Sequence, residues 1–195
     1  MGRRPQPQIR ERLLDGCTRH LLDHGLPVPS LRPLADAVGT SPRMLIYHFG
    51  TKERLVMAAL IEARHRQRRL FDAALRPRPG TDYADTLATA WRVLAGAEAR
   101  RYVRLFSAVH AMPPSQLPWE QFPVMAVHDW LPTIEEGLRV GGHPDPGAAA
   151  TLTLAVVRGL LLDQRATDEG TRADDAYRSF IDMLRRCPRR PATAP

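Results

Sequence analysis

Apolar residues recur at every third or fourth position along most of the 195-residue chain, and no stretch alternates apolar and polar residues as a strand would. The first predicted helix extends from about Pro7 to Asp23, with Leu13, Cys17 and Leu21 on one stripe. Prolines and glycines separate the helices that follow the first 50 residues, which are predicted at about 52–75, 82–96, 97–112, 118–140, 146–166 and 173–186.

Two short helices joined by a tight turn are predicted between the first helix and residue 52, which makes about nine helices and an all-α fold. Ser30 is predicted to cap the first short helix, in which Pro33 lies in the opening turn, where a missing N–H costs little. Leu34 and Val38 give this helix a small apolar face. Gly39 supplies the left-handed residue that ends it.

The second short helix begins at Ser41-Pro42, a capping hydroxyl followed by a proline at the first helical position. Leu45 and Phe49 lie four positions apart and are predicted to be buried, which leaves Arg43, Met44, Tyr47 and His48 on other faces. Two helices joined by a short turn with a glycine, the second of them polar, are typical of a DNA-binding helix-turn-helix.

Basic residues are concentrated in the first part of the chain. Residues 1–76 carry 14 basic and 7 acidic side chains, whereas residues 77–195 carry 14 of each, so the whole net charge of +7 lies on the segment with the helix-turn-helix. This distribution is typical of a phosphate-binding module beside a neutral second domain. All but one of the basic residues are arginines, a bias that a GC-rich genome also explains.

Two of the later helices have unusual sequences. In the stretch 118–140, Pro123 fits an opening turn, whereas Pro132 is predicted to kink or split the helix. The helix at 146–166 is apolar on nearly every face, and its most apolar run is too short for a membrane span. One face is expected on the core and the other on a second copy of the chain, with the last helix completing the interface. The predicted dimer residues are Leu154, Val157, Leu160, Leu161, Tyr177, Phe180, Ile181 and Leu184.

Residues 9–60 resemble the tetracycline-repressor (TetR) family of transcriptional regulators. The matching features are the amphipathic first helix, Leu34-Ala35 with Gly39, Ser41-Pro42 and Leu45, Tyr47-His48-Phe49, and Lys52-Glu53 with Leu55. The resemblance implies a homodimer in which residues 1–51 bind DNA, preceded by a basic arm at 1–6. Residues 52–187 would bind a small effector and form the dimer, with the helix at about 52–75 linking both domains, and 188–195 would be a disordered tail.

The resemblance also implies how the domain contacts DNA. Arg32, Pro42, Arg43 and Met44 would lie at base edges, and Ser41, Tyr47, His48 and Lys52 would contact phosphates. An arginine at the start of the recognition helix can donate two hydrogen bonds to guanine. Arg3 and Arg4 would either enter the minor groove or only make the N-terminus soluble. The family often has an aromatic residue where this chain has Ile46, so one phosphate contact is expected to be missing.

The effector cavity is expected among the helices between residues 82 and 140, where large apolar side chains accumulate. Such a cavity would suit an aromatic or lipophilic ligand, and polar groups would orient it. For each of these side chains taken singly, a simple helical core is the better explanation, and only the group as a whole indicates a cavity. The predicted cavity residues are Trp91, Phe106, His110, Trp119, Phe122, Met125, His128 and Arg158.

The sequence gives little support to an enzymatic or metal-binding function. The chain has no HExxH sequence, no phosphate-binding loop and no Ser-His-Asp spacing, so it is predicted not to be an enzyme and to need no cofactor. His20 and His24 have the spacing of metal ligands, but no third Cys, His or carboxylate is convincingly placed beside them as a ligand, and no metal is expected. Without a signal peptide, a cytoplasmic protein is predicted. The alternative function is a DNA-binding dimer whose second domain serves only dimerisation or a protein partner.

Overall fold

The computed structural model describes residues 7–26, 28–113, 122–167 and 169–188, and these residues form helices and no strands. The predicted all-α fold is confirmed. The stretch 118–140 is split at Pro132, which lies in the first turn of its own helix. The ten described helices are α1 (Pro7–His24), α2 (Arg32–Ala37), α3 (Pro42–Phe49), α4 (Lys52–Leu75), α5 (Tyr83–Leu94), α6 (Ala97–His110), α7 (Phe122–His128), α8 (Leu131–Val140), α9 (Pro146–Thr167) and α10 (Gly170–Arg186).

The chain forms two compact units. Unit 1 comprises residues 1–67 and 104–122, and unit 2 comprises residues 68–103 and 123–195. Helices α1 to α3 therefore share unit 1 with the first part of α4 and the last part of α6. The division between residues 51 and 52 remains a prediction, because α4 and α6 each contribute residues to both units.

In unit 1, α4 is tied to α1 by buried and charged contacts. Thr18 of α1 is fully buried, and its hydroxyl donates to the Leu14 carbonyl oxygen at 2.8 Å and lies 3.5 Å from the Ala59 carbonyl oxygen of α4. The Arg66 guanidinium of α4 lies 2.9 Å from Asp15 of α1 and 2.8 Å from Glu62 of its own helix. These contacts hold α4 against α1.

A glycine allows α2 to approach α1 closely. A β-carbon at Gly16 would lie 2.4 Å from Cγ1 of Val38, far inside van der Waals contact. Leu34 and Ala35 of α2 are buried beside this contact, with 1% and 0% exposure. The apolar face that the sequence predicted for α2 is therefore confirmed, and Gly16 is the residue that makes room for it.

The last part of α6 closes the end of α1. One amino group of Arg104 donates to the carbonyl oxygens of Leu22 and Asp23, each at 2.6 Å. The last carbonyls of a helix lack partners within it and carry partial negative charge, so a guanidinium satisfies both requirements. Arg104 thereby joins α6 to the C-terminal end of the first helix.

The core of unit 2 is built on aromatic side chains of α5 and α10. Trp91 stacks on Tyr177 with a centroid distance of 4.4 Å and an interplanar angle of 16°. Tyr83 is 3% exposed, and its hydroxyl donates to the Leu75 carbonyl oxygen at 2.9 Å. Burial raises the pKa of both tyrosines, so both hydroxyls stay protonated as donors.

Helix α9 is long and apolar enough to cross a membrane by length and composition, and about a third of its most apolar window is buried inside the protein. Core helices of soluble proteins pass the same test. The prediction that the apolar stretch of this helix is too short for a span is therefore wrong by length and composition.

Candidate nucleic-acid interface and ligand cavity

The turn between α2 and α3 has the backbone that the sequence predicted, but the start of α2 does not. Gly39 has a φ of +64° and follows the end of α2, where a residue with a β-carbon would be strained. The prediction that Ser30 caps α2 is wrong. The N-cap is Leu31, which has helical backbone angles and forms no side-chain cap hydrogen bond.

Helix α3 is capped at both ends and is followed at once by α4. The Ser41 side chain accepts a hydrogen bond from the Met44 N–H at 3.2 Å, as predicted. Gly50 has a φ of +84° and ends the helix. The Thr51 hydroxyl then caps α4 by accepting from the Arg54 N–H at 3.2 Å. The two ends of α3 and the start of α4 are thus each set by residues within a few positions of them.

Helix α3 has one buried face and one exposed face. Leu45, His48 and Phe49 are buried. The Arg10 guanidinium of α1 lies 4.9 Å above the Phe49 ring centroid, which covers that side. The outward face consists of exposed side chains: Pro42, Arg43, Met44, Ile46 and Tyr47. Large apolar side chains exposed together with an arginine on one short helix are typical of a surface that binds a partner.

His48 is positioned differently from a phosphate ligand. Its side chain is only 8% exposed, and both ring nitrogens are buried without a hydrogen bond to any described residue. The Tyr47 ring packs against it edge-on at 5.1 Å. In this conformation His48 supports the helix rather than reaching outward, so its phosphate contact remains a prediction that requires the ring to turn.

The start of α4 offers a second contact point. The Lys52 side chain is 36% exposed, and its ammonium lies 3.9 Å from the Glu53 carboxylate, a loose pairing in solvent. Hydrogen bonds from its own backbone N–H and from the Thr51 hydroxyl lower the pKa of Glu53. Because this ion pair is loose and lies in solvent, the Lys52 ammonium can move toward an anion near the start of α4, where the helix dipole also favours negative charge.

The remaining predicted DNA contacts are placed as follows. Arg32, at the start of α2, is exposed. Arg3 and Arg4 lie outside the described residues. Each assignment of a residue to a base or a phosphate remains a prediction, but Arg32, Arg43 and Lys52 are all accessible for the contact assigned to them.

Three of the predicted effector residues form a packed aromatic cluster in unit 1. The Phe106 and Phe122 rings stack at 5.5 Å, and the His110 ring lies 4.9 Å from Phe122. Phe122 is fully buried, and the Arg64 guanidinium lies 5.8 Å from the Phe106 centroid. Phe106 and Phe122 therefore serve as core in this unit, which is the simple explanation that the sequence left open, whereas His110 is exposed.

The other predicted effector residues have different surroundings. In unit 2, Met125 is 40% exposed, His128 is exposed, and the Arg158 guanidinium donates to the carbonyl oxygen of Ala126. Trp119 lies outside the described residues. Trp91, another predicted effector residue, lines a cavity of about 500 Å³ that lies between α5, α9 and α10.

Several polar residues of that cavity were missed by the sequence reasoning. They are Arg92 of α5, Gln164 of α9, and Asp174 and Arg178 of α10. Arg92 follows Trp91 directly, and Asp174 and Arg178 lie on either side of Tyr177 at helical spacing. This arrangement of charged residues around two aromatic residues is the signal that the sequence contained.

Most of the predicted dimer residues belong to the interior of unit 2. Tyr177, Phe180 and Ile181 are 4% exposed or less, and Leu154, Val157 and Leu161 are also buried. Leu160 and Leu184 are partly buried against the same core. These buried side chains have little surface left to contact a second copy, and a dimer interface on these helices stays a prediction.

An exposed apolar stripe runs along α9. Its members, here called the α9 seam, are exposed and follow each other at alternating spacings of four and three: Ala148, Leu152, Ala155, Gly159, Leu162 and Ala166. This is the spacing of a helix that packs along another helix. Leu152 and Leu162 are each 55% exposed. The α10 seam continues the surface with Ala176, Ser179 and Met183, of which Met183 is 58% exposed.

The histidines and the cysteine of α1 form no reactive site. His20 and His24 stack at 4.2 Å, and burial together with the His24 charge lowers the pKa of His20. Among the described residues, no group of three or more His, Cys, Asp or Glu side chains is placed to hold a metal ion. Burial raises the pKa of Cys17 to about 11, which disfavours the nucleophilic thiolate.

Known proteins resemble this chain in structure. It matches no family model and no curated protein. A transcriptional regulator from Rhodococcus sp. RHA1 has a TM-score of 0.74 at 22% identity and covers 90% of this chain and 95% of its own. A TetR-family regulator from Cytophaga hutchinsonii has a TM-score of 0.75 at 17% identity, with coverages of 94% and 96%. The multidrug binding protein EbrR, complexed with imidazole, has a TM-score of 0.67 at 27% identity, with coverages of 99% and 96%.

These likenesses extend over almost the whole chain rather than over the helix-turn-helix alone. The sequence resemblance of residues 9–60 is therefore joined by a likeness of the complete helical architecture. The chain has the fold of the TetR-family transcriptional regulators.

Proposed function

We propose that this protein is a cytoplasmic, ligand-responsive repressor that binds a palindromic operator as a homodimer. The observation that carries the proposal is the two-sided helix α3, which buries Leu45, His48 and Phe49 and exposes Arg43, Met44 and Tyr47. A helix of this kind, capped at its start and preceded by a glycine turn, suits the major groove. The net positive charge of residues 1–76 supports a phosphate-rich partner.

The dimer is supported by the α9 and α10 seams. A two-fold axis would pair each seam with its copy, because the same surface lies on both partners. Small residues at Ala155 and Gly159 let two helices approach closely, and a β-carbon at Gly159 would meet no atom of the described residues within 4 Å. Two recognition helices would then reach successive major grooves.

We assign the ligand response to unit 2. The likeness to EbrR, a multidrug binding protein, and a cavity of 500 Å³ in unit 2 favour it. An effector lowers operator occupancy only if it binds better to a conformer that fits DNA poorly. The alternative, a DNA-binding dimer without an effector, is favoured by the packed cluster of Phe106, His110 and Phe122.

Selection of bound DNA from a random pool tests the proposed function directly. We expect an enriched palindrome whose half-sites are about one helical turn apart, since two copies of α3 would read it. A pool that shows no enrichment after repeated rounds at moderate salt would exclude sequence-specific DNA binding. Adding candidate effectors to the protein and the selected operator then separates the ligand-responsive repressor from the simple dimer.

Arg43→Ala is expected to relax specificity at one base pair in each half-site. An exposed arginine in the first turn of α3 can donate two hydrogen bonds to guanine, and its loss costs roughly 1–3 kcal/mol there. Affinities for the operator and for each single-base variant measure this. Arg12→Ala, which removes an exposed arginine from α1, is the matched control. A uniform loss of affinity for every sequence would instead make Arg43 a phosphate contact.

Lys52→Ala is expected to weaken binding to all sequences alike and to flatten the dependence of affinity on salt. Removal of one phosphate contact lowers the salt slope by about one. Lys52→Arg should keep most of the slope, because the positive charge is retained. Since the chain has no other lysine, selective acetylation of lysine, which removes the charge, gives an independent check on this position. An unchanged slope in Lys52→Ala would remove Lys52 from the phosphate contacts.

A further inference from the structure

The cavity between α5, α9 and α10 has the size and the mixed lining of a small-molecule site. Its volume of about 500 Å³ lies within the range of ligand pockets. We propose that it binds a small aromatic carboxylate, which Arg92 anchors and which packs on the edges of Trp91 and Tyr177. The binding claim stands on the cavity alone, whereas the claim that this ligand is the effector rests on the proposed function.

The apolar wall of the cavity is preformed. Trp91 and Tyr177 stack on each other and are 5% and 2% exposed, so they meet the cavity at their edges. The Tyr177 hydroxyl donates to the Leu87 carbonyl oxygen at 3.1 Å, and the Trp91 indole N–H donates to the Asp174 carboxylate at 2.6 Å. A ligand ring packed against fixed ring edges forms the edge-to-face arrangement that aromatic pairs prefer.

The charges of the lining favour an anion at one position. Arg178 is paired with Asp175 at 2.7 Å, and Arg185 is paired with Asp85 and Asp182. Arg92 is exposed and forms no ion pair or hydrogen bond with another described residue. Its guanidinium can bind a carboxylate through two parallel hydrogen bonds, a geometry that a lone lysine does not provide.

Asp174 limits the rest of the ligand. It lines the cavity, and the Trp91 indole already occupies one of its oxygens. A second anionic group near this carboxylate would be repelled, whereas a hydroxyl could donate to it. The lining therefore favours a ligand with one carboxylate for Arg92 and one neutral donor for Asp174. Among simple compounds, 4-hydroxybenzoate has this pattern.

The cavity stays open when two copies pair through the seams. Ile181 lines the cavity and is 1% exposed, while Met183 of the α10 seam is 58% exposed. Two positions on an α-helix are separated by about 200°, so the two side chains lie on opposite faces of α10. A ligand can thus reach the cavity in the proposed dimer.

The position of the cavity gives a ligand a mechanical target. Ala95 and Gly96, the turn between α5 and α6, belong to its lining. Helix α6 starts directly after them, and its Arg104 holds the last carbonyls of α1. A ligand that moves this turn would act on the helix that supports the DNA-binding unit.

Titration of the full chain with 4-hydroxybenzoate and benzoate tests the binding claim. We expect both to bind, 4-hydroxybenzoate more tightly, and benzylamine not to bind. Both acids should shift the Trp91 indole N–H signal in a nitrogen-correlated NMR spectrum, assigned with Trp91→Phe. Arg92→Gln should weaken binding at least about tenfold, the loss expected for a charge-assisted pair. Arg100→Gln, which removes an exposed arginine outside the lining, should change nothing.

Three results would overturn the binding claim: no binding of either acid, equal binding by Arg92→Gln, or binding without a shift at Trp91. The regulatory claim is tested separately with the selected operator. A several-fold change in operator affinity on saturation with 4-hydroxybenzoate, absent in Arg92→Gln, supports it, and an unchanged affinity overturns it. A protein that binds the acid but selects no DNA sequence would refute the proposed function and leave the cavity assignment intact.

Discussion

Gly137→Ala should lower the free energy of unfolding by about 3 kcal/mol, at the upper end of the usual cost of overpacking. A β-carbon at Gly137 of α8 would lie 2.2–2.4 Å from three ring atoms of Tyr83. That ring cannot move away easily, because it is 3% exposed and its hydroxyl is bound to the Leu75 carbonyl oxygen. The helix propensity gained by replacing glycine, about 1 kcal/mol, is too small to offset the clash.

Urea unfolding followed by circular dichroism measures this effect, and Gly147→Ala is its matched control. Gly147 lies in the first turn of α9, and the nearest atom to a β-carbon there is 4.0 Å away. We expect Gly147→Ala to leave stability unchanged or slightly higher. In a Tyr83→Ala background, where the ring is absent, Gly137→Ala should cost little. An equal loss with and without the ring would show that the clash is not the cause.

Features set by neighbouring residues could be predicted from the sequence. Ser41 caps its helix as expected, Thr51 and Asp82 cap theirs through the same kind of local hydrogen bond, and Pro132 lies in the first turn of a new helix. Each of these depends on one side chain and the backbone within a few positions of it. Ser30 failed because Leu31 already has helical backbone angles, which moves the cap one residue along.

The faces of helices were harder to assign than their limits. His48 lies three positions after Leu45 and one before Phe49, so its burial was contained in the spacing that buried those two residues. Its polarity and the family resemblance favoured a phosphate contact instead. A histidine fits either environment, and only packing in three dimensions distinguishes them.

The dimer surface shows what periodicity leaves undetermined. Helix α9 is apolar on nearly every side, so the sequence indicated two packed faces without saying which one faces its own unit. Leu154 and Leu161 turn inward, whereas Leu152 and Leu162, which have the same size, turn outward. The alternating spacing of the α9 seam from Ala148 to Ala166 marked the outward face. Likewise, the cavity needs residues from α5, α9 and α10, which no local pattern brings together.

The double variant Leu152→Glu, Leu162→Glu is expected to make the protein monomeric and to lower operator affinity by about 10²- to 10⁴-fold, the usual contribution of a linked second site. Both leucines are 55% exposed within one copy, so their replacement should leave the fold of that copy intact. Two carboxylates on each seam would be desolvated and would repel their copies if the dimer formed. Phe180 is unsuitable for this test, because it is 4% exposed and its replacement by a charge would unfold unit 2.

Sedimentation and operator titration distinguish an effect on dimer formation from a general effect of added charge. Val140→Glu serves as the control, because Val140 is 74% exposed at the end of α8 and lies outside both seams. We expect it to remain a dimer with full affinity. The double variant should keep its helical content while it sediments as a single chain, and it should bind a half-site as well as the parent monomer does. If it remains dimeric, the copies pair through another surface, and the seams then need a different partner.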